Sequence, residues 1–472
     1  MARSNASQTA PHPASYTPPF DGIILQVPPK GTTEKEEVDA EATHLPSPAS
    51  STEKTESNES DAVKYNLTAD QSYWWATCKP AIANLMDYAG SYMVEEKESN
   101  LRFLAEHIIP TFGPIRSEAK TMPLLTDDHS PFEPSWNFSS KGKTTVRFTF
   151  EPLGPLAGTE TDPFVQAIVP QILPSLAREA DRCDTRWFNQ FVQALFLHSA
   201  EEMASVKAGL PSFLPGRAPQ SFIAFDLDGK KRGMKAYFFP ILKALSTKRS
   251  CETVTFDAIR GLEPCGAELT PAVNTLEKYM ATSCPEPCPV EMIAIDCVDP
   301  SAGARVKVYG RTESNSWDVV KHVYTLGGLA NDETTLQGLE ILRSVWHLLQ
   351  GEREPVSDSF HKKPRETHTR HKGICFGFEM VPGRELPEVK VYVPMWNYAP
   401  DDQTVAENLA EVFRLQGWGA VADKYGAAVR DSFPRADLRA PAYTHTYLSF
   451  AFSKKKGVYM TMYYSASGMS VC

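Results

Sequence analysis

Five separate segments alternate a cation or tyrosine with an apolar residue, and that alternation restricts the fold more than any other feature. Over residues 304–310, Val306 and Val308 fall on one side of an extended strand and Arg305, Lys307 and Tyr309 on the other, because successive side chains point to opposite faces. Residues 234–239 put Lys235 with Tyr237, and residues 144–150 put Arg147 opposite Val146, Phe148 and Phe150. Residues 389–393 put Lys390 with Tyr392 opposite Val389, Val391 and Val393. Residues 457–463 put Tyr459 with Tyr463 opposite Val458, Met460 and Met462. One such strand alone reads as a surface strand with its polar face in water. Five together read as a closed barrel with helices outside, the apolar faces packing on the helices and the polar faces lining a lumen.

The order of patterns supports this. Helical spacing over 100–109 precedes the Arg147 strand, and helical stretches over 164–180 and 185–195 precede strands over 221–228 and 234–239. Asp228-Gly229 marks the hairpin between those two strands. A helical stretch over 269–282 precedes 292–299 and the Arg305 strand, and stretches over 317–323 and 336–349 precede 374–380 and the Lys390 strand. Stretches over 405–415 and 421–433 precede 447–452 and the Tyr459 strand. Two helices and two strands repeated about five times predict an α/β fold of ten antiparallel strands closed into a barrel, which leaves no open edge. Residues 1–65, rich in Ser, Thr, Pro and Glu, read as a disordered tail, and 66–472 as a single domain. Residues 352–372 read as an exposed, mobile polar insert.

A net charge of -10 argues against general nucleic-acid binding. The chain has no apolar run of about 18 residues, so no membrane span is expected. Its start lacks an apolar stretch suited to a secretory signal. Nine scattered cysteines fit a reduced, cytoplasmic compartment. Cys284, Cys288 and Cys297 are too loosely spaced, and too far from a His, to read as a zinc site. Neither a metal nor a cofactor is expected, and the chain is expected to be a monomer or homodimer.

Inside the barrel, Arg147, Lys235, Arg305, Lys307 and Lys390 would converge without counter-ions. Two such charges about 4 Å apart repel by ~4 kcal/mol even at an effective dielectric of about 20, so an anion is expected between them. A diphosphate suits the Arg fork and the Lys point charge. Tyrosine faces can shield a carbocation. Together these residues point to ionisation of an allylic diphosphate. Magnesium held by clustered Asp usually assists that step, but neither Asp127-Asp128 nor Asp401-Asp402 is followed by a further acid at D-D-x-x-D spacing. Protein cations would take the metal's place.

Several motifs, in order, carry a resemblance to a known family. They are Pro-Phe-Glu-x-Ser-x-Asn at 131–137, Arg147 followed by Phe-Thr-Phe-Glu-Pro, and Thr161-Asp162-Pro163-Phe164. Lys235-x-Tyr237, Arg305-x-Lys307-x-Tyr309, Tyr324-Thr325-Leu326-Gly327-Gly328 and Tyr459-x-x-x-Tyr463 follow. From residue 73 to the C-terminus the chain resembles fungal aromatic prenyltransferases of the dimethylallyltryptophan synthase type, which have the αββα (ABBA) prenyltransferase barrel. The resemblance implies that Arg147, Lys235, Arg305 and Lys307 bind diphosphate, the cation of Lys390 being compatible with that role, and that Tyr237, Tyr309, Tyr392, Tyr459 and Tyr463 form the tyrosine shield. It implies that Glu133 is the catalytic acid that accepts the indole N–H. Lys390 stands where the family usually has Gln, and Pro134 where it has another apolar residue. Phe222 and Ile223 stand where some members carry a Lys proposed as the final base.

The same resemblance bears on the acceptor. Members that prenylate free tryptophan hold its polar end with a Tyr and an Arg. Those positions are Phe239 and Glu291 here, or Met292 if the alignment slips by one. The expected reaction is transfer of a dimethylallyl group from dimethylallyl diphosphate to an indole, a tryptophan-containing cyclic dipeptide or a larger indole alkaloid. Free tryptophan, a phenol or xanthone acceptor, and a non-catalytic ligand-binding barrel are the alternatives.

Overall fold

The computed structural model describes residues 63–115, 119–210, 217–366, 371–441 and 443–466. The apolar patch at 20–27 and the tail up to residue 62 lie outside the described residues. Tyr65 lies within them and packs edge-on against Trp75, ring centroids 5.5 Å apart.

Ten strands form the barrel. They are β1 (Phe132–Ser139), β2 (Thr145–Phe150), β3 (Ser221–Asp228), β4 (Lys231–Phe238), β5 (Val290–Asp296), β6 (Val306–Thr312), β7 (Ile374–Met380), β8 (Glu388–Val393), β9 (His445–Ser453) and β10 (Gly457–Tyr464). Each pairs antiparallel with its sequence neighbours, and β1 pairs with β10 to close the ring. The helices are α1 (Ala69–Ala89), α2 (Val94–Phe103), α3 (Ile168–Glu179), α4 (Arg186–Leu195), α5 (Ala200–Gly209), α6 (Ile241–Thr247), α7 (Cys251–Arg260), α8 (Gly266–Thr282), α9 (Trp317–Tyr324), α10 (Glu333–Leu349), α11 (Asp402–Leu415) and α12 (Gly419–Ser432).

Period-2 alternation places the core where the sequence put it. Trp136, Phe138, Phe148, Phe150, Phe225, Phe238, Val306, Val308, Phe376, Phe378, Val391 and Met460 are all buried in one cluster with helix residues such as Leu85, Leu276, Leu342 and Leu409. Burying each such side chain contributes about 1.5–3 kcal/mol, so the layer between barrel and helices dominates stability. Gly310 lies within it. A Cβ there would stand 2.8 Å from Cys288 Sγ and 3.1 Å from both Cys288 O and Met280 Cε, so any side chain would push the end of α8 and the loop that follows it off β6.

Three details differ from the sequence reading. Strand β6 starts at Val306 and ends at Thr312, two residues later than expected. Gly310 continues the strand against the helices, and Arg311 thereby joins Lys307 and Tyr309 on the lumen face. Helices α5, α6 and α7 were not anticipated. Helix α5 has a single buried residue, Val206, and so little amphipathic signal. The described part of the 352–372 insert packs against the barrel end. Arg365 lies over the rings of Trp396 and Tyr443, at 5.7 and 5.0 Å. The Lys362 N–H donates to Asn315 Oδ1 at 2.8 Å, and the Glu366 N–H donates to Asn397 Oδ1 at 2.7 Å. Paired polar groups anchor a loop as apolar contacts do, and composition does not show the pairing.

One buried network ties α11 to β9. Asp401 caps the helix, and the next residue, Asp402, accepts the backbone N–H groups of Tyr443, Thr444 and His445 at 3.0, 3.0 and 2.8 Å. Its carboxylate also meets His445 Nδ1 at 2.7 Å, and His445 Nε2 meets the Tyr425 hydroxyl at 3.1 Å. Asp402→Ala would strand these donors in the interior, a loss of about 3–5 kcal/mol. A urea titration should show a lower midpoint; a midpoint equal to wild type would remove the network from the stability account.

Candidate active site

The antiparallel register builds a charged belt around one level of the lumen. Arg147 on β2 stands opposite Asp226 on β3, Lys235 on β4 opposite Asp296 on β5, and Lys307 on β6 opposite Glu379 on β7. Arg147 Nε lies 3.1 Å from Asp226 Oδ1, and Lys235 Nζ bonds Asp226 Oδ2. Arg305 Nε and Lys307 Nζ reach the two Asp296 oxygens at 2.6 and 2.9 Å. Arg305 Nη1 and Lys390 Nζ reach the two Glu379 oxygens at 2.7 and 3.2 Å.

The expectation of five cations without counter-ions is therefore corrected. Asp226, Asp296 and Glu379 interleave with them. Burial alone would raise the pKa of Asp226, but Arg147 and Lys235 outweigh it and hold the group at about 2. Glu379 is likewise held at about 2 against burial by Lys390, Lys307 and Arg305. Asp296 lies further below the ordinary carboxylate range, with Lys307, Arg305 and Lys235 overcoming its burial. Burial lowers Lys307 to about 8. With all eight groups ionised, five cations against three carboxylates leave an excess of two positive charges. That excess suits an anionic ligand without the repulsion of a bare cluster. The carboxylates were legible from the same alternation. Ala224 precedes Asp226, Ala294 precedes Asp296 and Gly377 precedes Glu379, each two residues earlier on the same face.

The five tyrosines divide into two groups. Tyr237, Tyr309, Tyr392 and Tyr463 form a continuous layer, with successive ring centroids 6.2, 5.6 and 6.2 Å apart. Gly377 on β7 lies between Tyr309 and Tyr392, where an added Cβ would meet both rings at 3.2 Å. The glycine lets the two rings approach across a strand. Tyr459 belongs to the belt instead. It accepts a hydrogen bond from Arg147 and lies under Lys456 and Lys390, whose Nζ atoms are 4.3 and 5.7 Å from its ring centre. Burial acts to raise its pKa, but Arg147, Lys235 and Lys456 prevail and bring it to about 8.

Beyond the tyrosine layer the lumen wall is acidic and aromatic. Glu133 on β1 accepts from Thr446 Oγ1 at 3.1 Å. Burial raises its pKa to about 8, with Asp127 and Asp128 adding to the rise and Thr446 opposing it. Asp127 in turn bonds His371 Nδ1 at 2.8 Å. Phe239 packs edge-on against Phe222 at 4.8 Å. Glu291 sits at a β5 irregularity, where the register shifts between Val290 and Met292. Its carboxylate is paired. Arg311 Nε and Nη2 bond its two oxygens at 2.9 and 3.2 Å. Sequence reading missed Arg311 because it ended β6 at Gly310.

An antiparallel ten-strand barrel with a charged belt and a tyrosine layer in its lumen defines the class of ABBA prenyltransferases. The sequence model of the tryptophan dimethylallyltransferase family matches residues 70–428, and the chain belongs to that family. It is 40% identical to the indole diterpene prenyltransferase terF of Tolypocladium album, over 84% of this chain and 94% of the relative. It is 35% identical to the 7-dimethylallyltryptophan synthase hasE of Aspergillus fumigatus, over 89% and 86%. The crystal structure of NotF in complex with brevianamide F and DMSPP superposes with a TM-score of 0.74 at 25% identity, covering 88% of this chain and 99% of that one.

A neutral Glu133 is a poor acceptor for a ring N–H, because a protonated carboxyl has given up one of its lone pairs. If Glu133 takes that proton bond, acceptor kcat/KM rises with pH and levels off above about 8, the value to which burial raises this group. Glu133→Gln should lose this limb and at least tenfold in rate. A pH–rate profile unchanged by the substitution would remove Glu133 from the reaction.

Proposed function

We propose that this enzyme transfers a dimethylallyl group from dimethylallyl diphosphate to an indole whose amino-acid carboxylate is absent or tied up, as in a tryptophan-containing cyclic dipeptide or a larger indole alkaloid. The observation that carries this reading is the stacking of three levels in one lumen: a belt with excess positive charge, four adjoining tyrosine faces, and Glu133 beyond them. Arg147, Lys235, Arg305, Lys307 and Lys390 take the diphosphate, and the carboxylates hold them in place before it arrives. The allylic C–O bond breaks heterolytically and its electron pair leaves with diphosphate, where preset cations stabilise the developing charge. The allyl cation lies against Tyr237, Tyr309, Tyr392 and Tyr463, away from water. The indole, oriented through its N–H by Glu133, supplies the electron pair of the new C–C bond, and loss of the ring proton completes the substitution.

Three supports favour a capped or larger acceptor. Phe239 offers no hydroxyl for an amino-acid end. Glu291, Asp127 and Glu133 put three carboxyl groups at the acceptor end, and Arg311 there is already engaged by Glu291. The relative terF is named for indole diterpenes, although hasE is named for tryptophan. The test compares kcat/KM for free L-tryptophan, tryptophan-containing cyclic dipeptides and indole diterpenes. A clear preference for the free amino acid refutes the capped acceptor.

Because protein cations do the work usually given to magnesium, turnover should survive excess EDTA. Complete loss, restored only by magnesium, would overturn that part of the mechanism. Lys307→Ala removes one charged hydrogen bond to diphosphate, about 1.5–3 kcal/mol, and should lower donor kcat/KM roughly tenfold to a hundredfold. Unchanged donor kinetics would place Lys307 outside the donor site.

A further inference from the structure

Two buried polar atoms at the acceptor end have no partner among the described residues: Arg311 Nη1 and the Tyr447 hydroxyl oxygen. They are neighbours, the guanidinium carbon of Arg311 lying 5.7 Å from the centre of the Tyr447 ring. Both belong to the lumen wall. Arg311 continues the face of Lys307 and Tyr309. Tyr447 lies two residues from Ser449, which stands opposite the lumen residue Tyr392. Leaving one buried donor unpaired costs about 1–3 kcal/mol, so two adjoining orphans in the lumen wall call for a shared partner.

We propose that Arg311 and Tyr447 form a specificity subsite that binds a neutral oxygen of the acceptor: an amide carbonyl, ketone or hydroxyl. This rests on the reading of the lumen as an indole acceptor site. Glu291 decides the ligand's charge. By binding Nε and Nη2 of Arg311 it cancels the cation while leaving Nη1 as a donor. A carboxylate there would face Glu291 and the nearby Asp127, whose charges both bear on Tyr447, whereas a neutral oxygen gains the two hydrogen bonds without that repulsion. The residue before Tyr447, Thr446, is the one bonded to Glu133. The subsite would therefore hold one end of the acceptor while Glu133 holds the ring N–H.

Two substitutions test this in the full-length protein. Tyr447→Phe removes only the hydroxyl, and Arg311→Lys keeps a cation beside Glu291 but removes the free guanidinium donor. The readout is the kcat/KM ratio of a tryptophan–proline cyclic dipeptide, which carries amide oxygens, to 3-methylindole, which carries none. Both are measured at saturating donor, with equilibrium dialysis of the same two probes as a second readout. The subsite requires each variant to lower the ratio at least fivefold, mainly through a higher KM for the dipeptide, with a matching loss in the dialysis preference. A smaller fall in either variant overturns it, as does a wild-type protein that binds the dipeptide no more tightly than 3-methylindole. A wild-type preference for free tryptophan over the dipeptide would instead refute the capped acceptor while leaving the ratio to judge the subsite.

Discussion

The interleaving of cations with carboxylates across antiparallel strands is the interaction on which the site depends. Asp226 binds Arg147 and Lys235, Asp296 binds Arg305 and Lys307, and Glu379 binds Arg305 and Lys390. Asp226 and Glu379 thus each join cations from two different strands, and Asp296 on β5 holds the two at the start of β6. The belt therefore exists only when every strand is in register, since a slip of one residue would turn these groups into the apolar layer under the helices. Closure through β1 and β10 fixes that register, because a ring of pairings has no free edge along which to slide.

The belt also explains how five cations can be buried before any ligand arrives. Preset, paired cations need little rearrangement when charge develops on a leaving group, which is the electrostatic advantage of a preorganised site. Tyr459 extends this arrangement. Bonded to Arg147 and close to Lys456, it is part of the charged layer, while the other four tyrosines meet one another over the space that Gly377 leaves open. A donor with an anionic head and an allylic tail would find both surfaces in the right order.

At the opposite end carboxyl groups predominate. Asp127 is bonded to His371 and Glu291 to Arg311, while burial raises Glu133 to about 8. A lumen cationic at one level and rich in carboxyl groups at another would orient an anionic donor and its acceptor relative to each other, which is most of what a bimolecular transfer requires.

The sequence alone determined the barrel, its ten antiparallel strands and the lumen face of most site residues. Side-chain alternation is a local property of an extended chain, and it persisted in Lys235-x-Tyr237 and Lys307-x-Tyr309 whatever surrounded them. The motif order also placed the chain in its family. Only the tertiary structure decided which charges pair. Arg147 and Asp226 are separated by 78 intervening residues, and their meeting is set by strand pairing. The same holds for the Arg311–Glu291 pair, which depends on where β6 ends and on an irregularity in β5 that leaves no mark in residue type. The division of the tyrosines, four in a layer and one in the belt, likewise follows from neighbours brought together by closure, which no single strand's pattern contains.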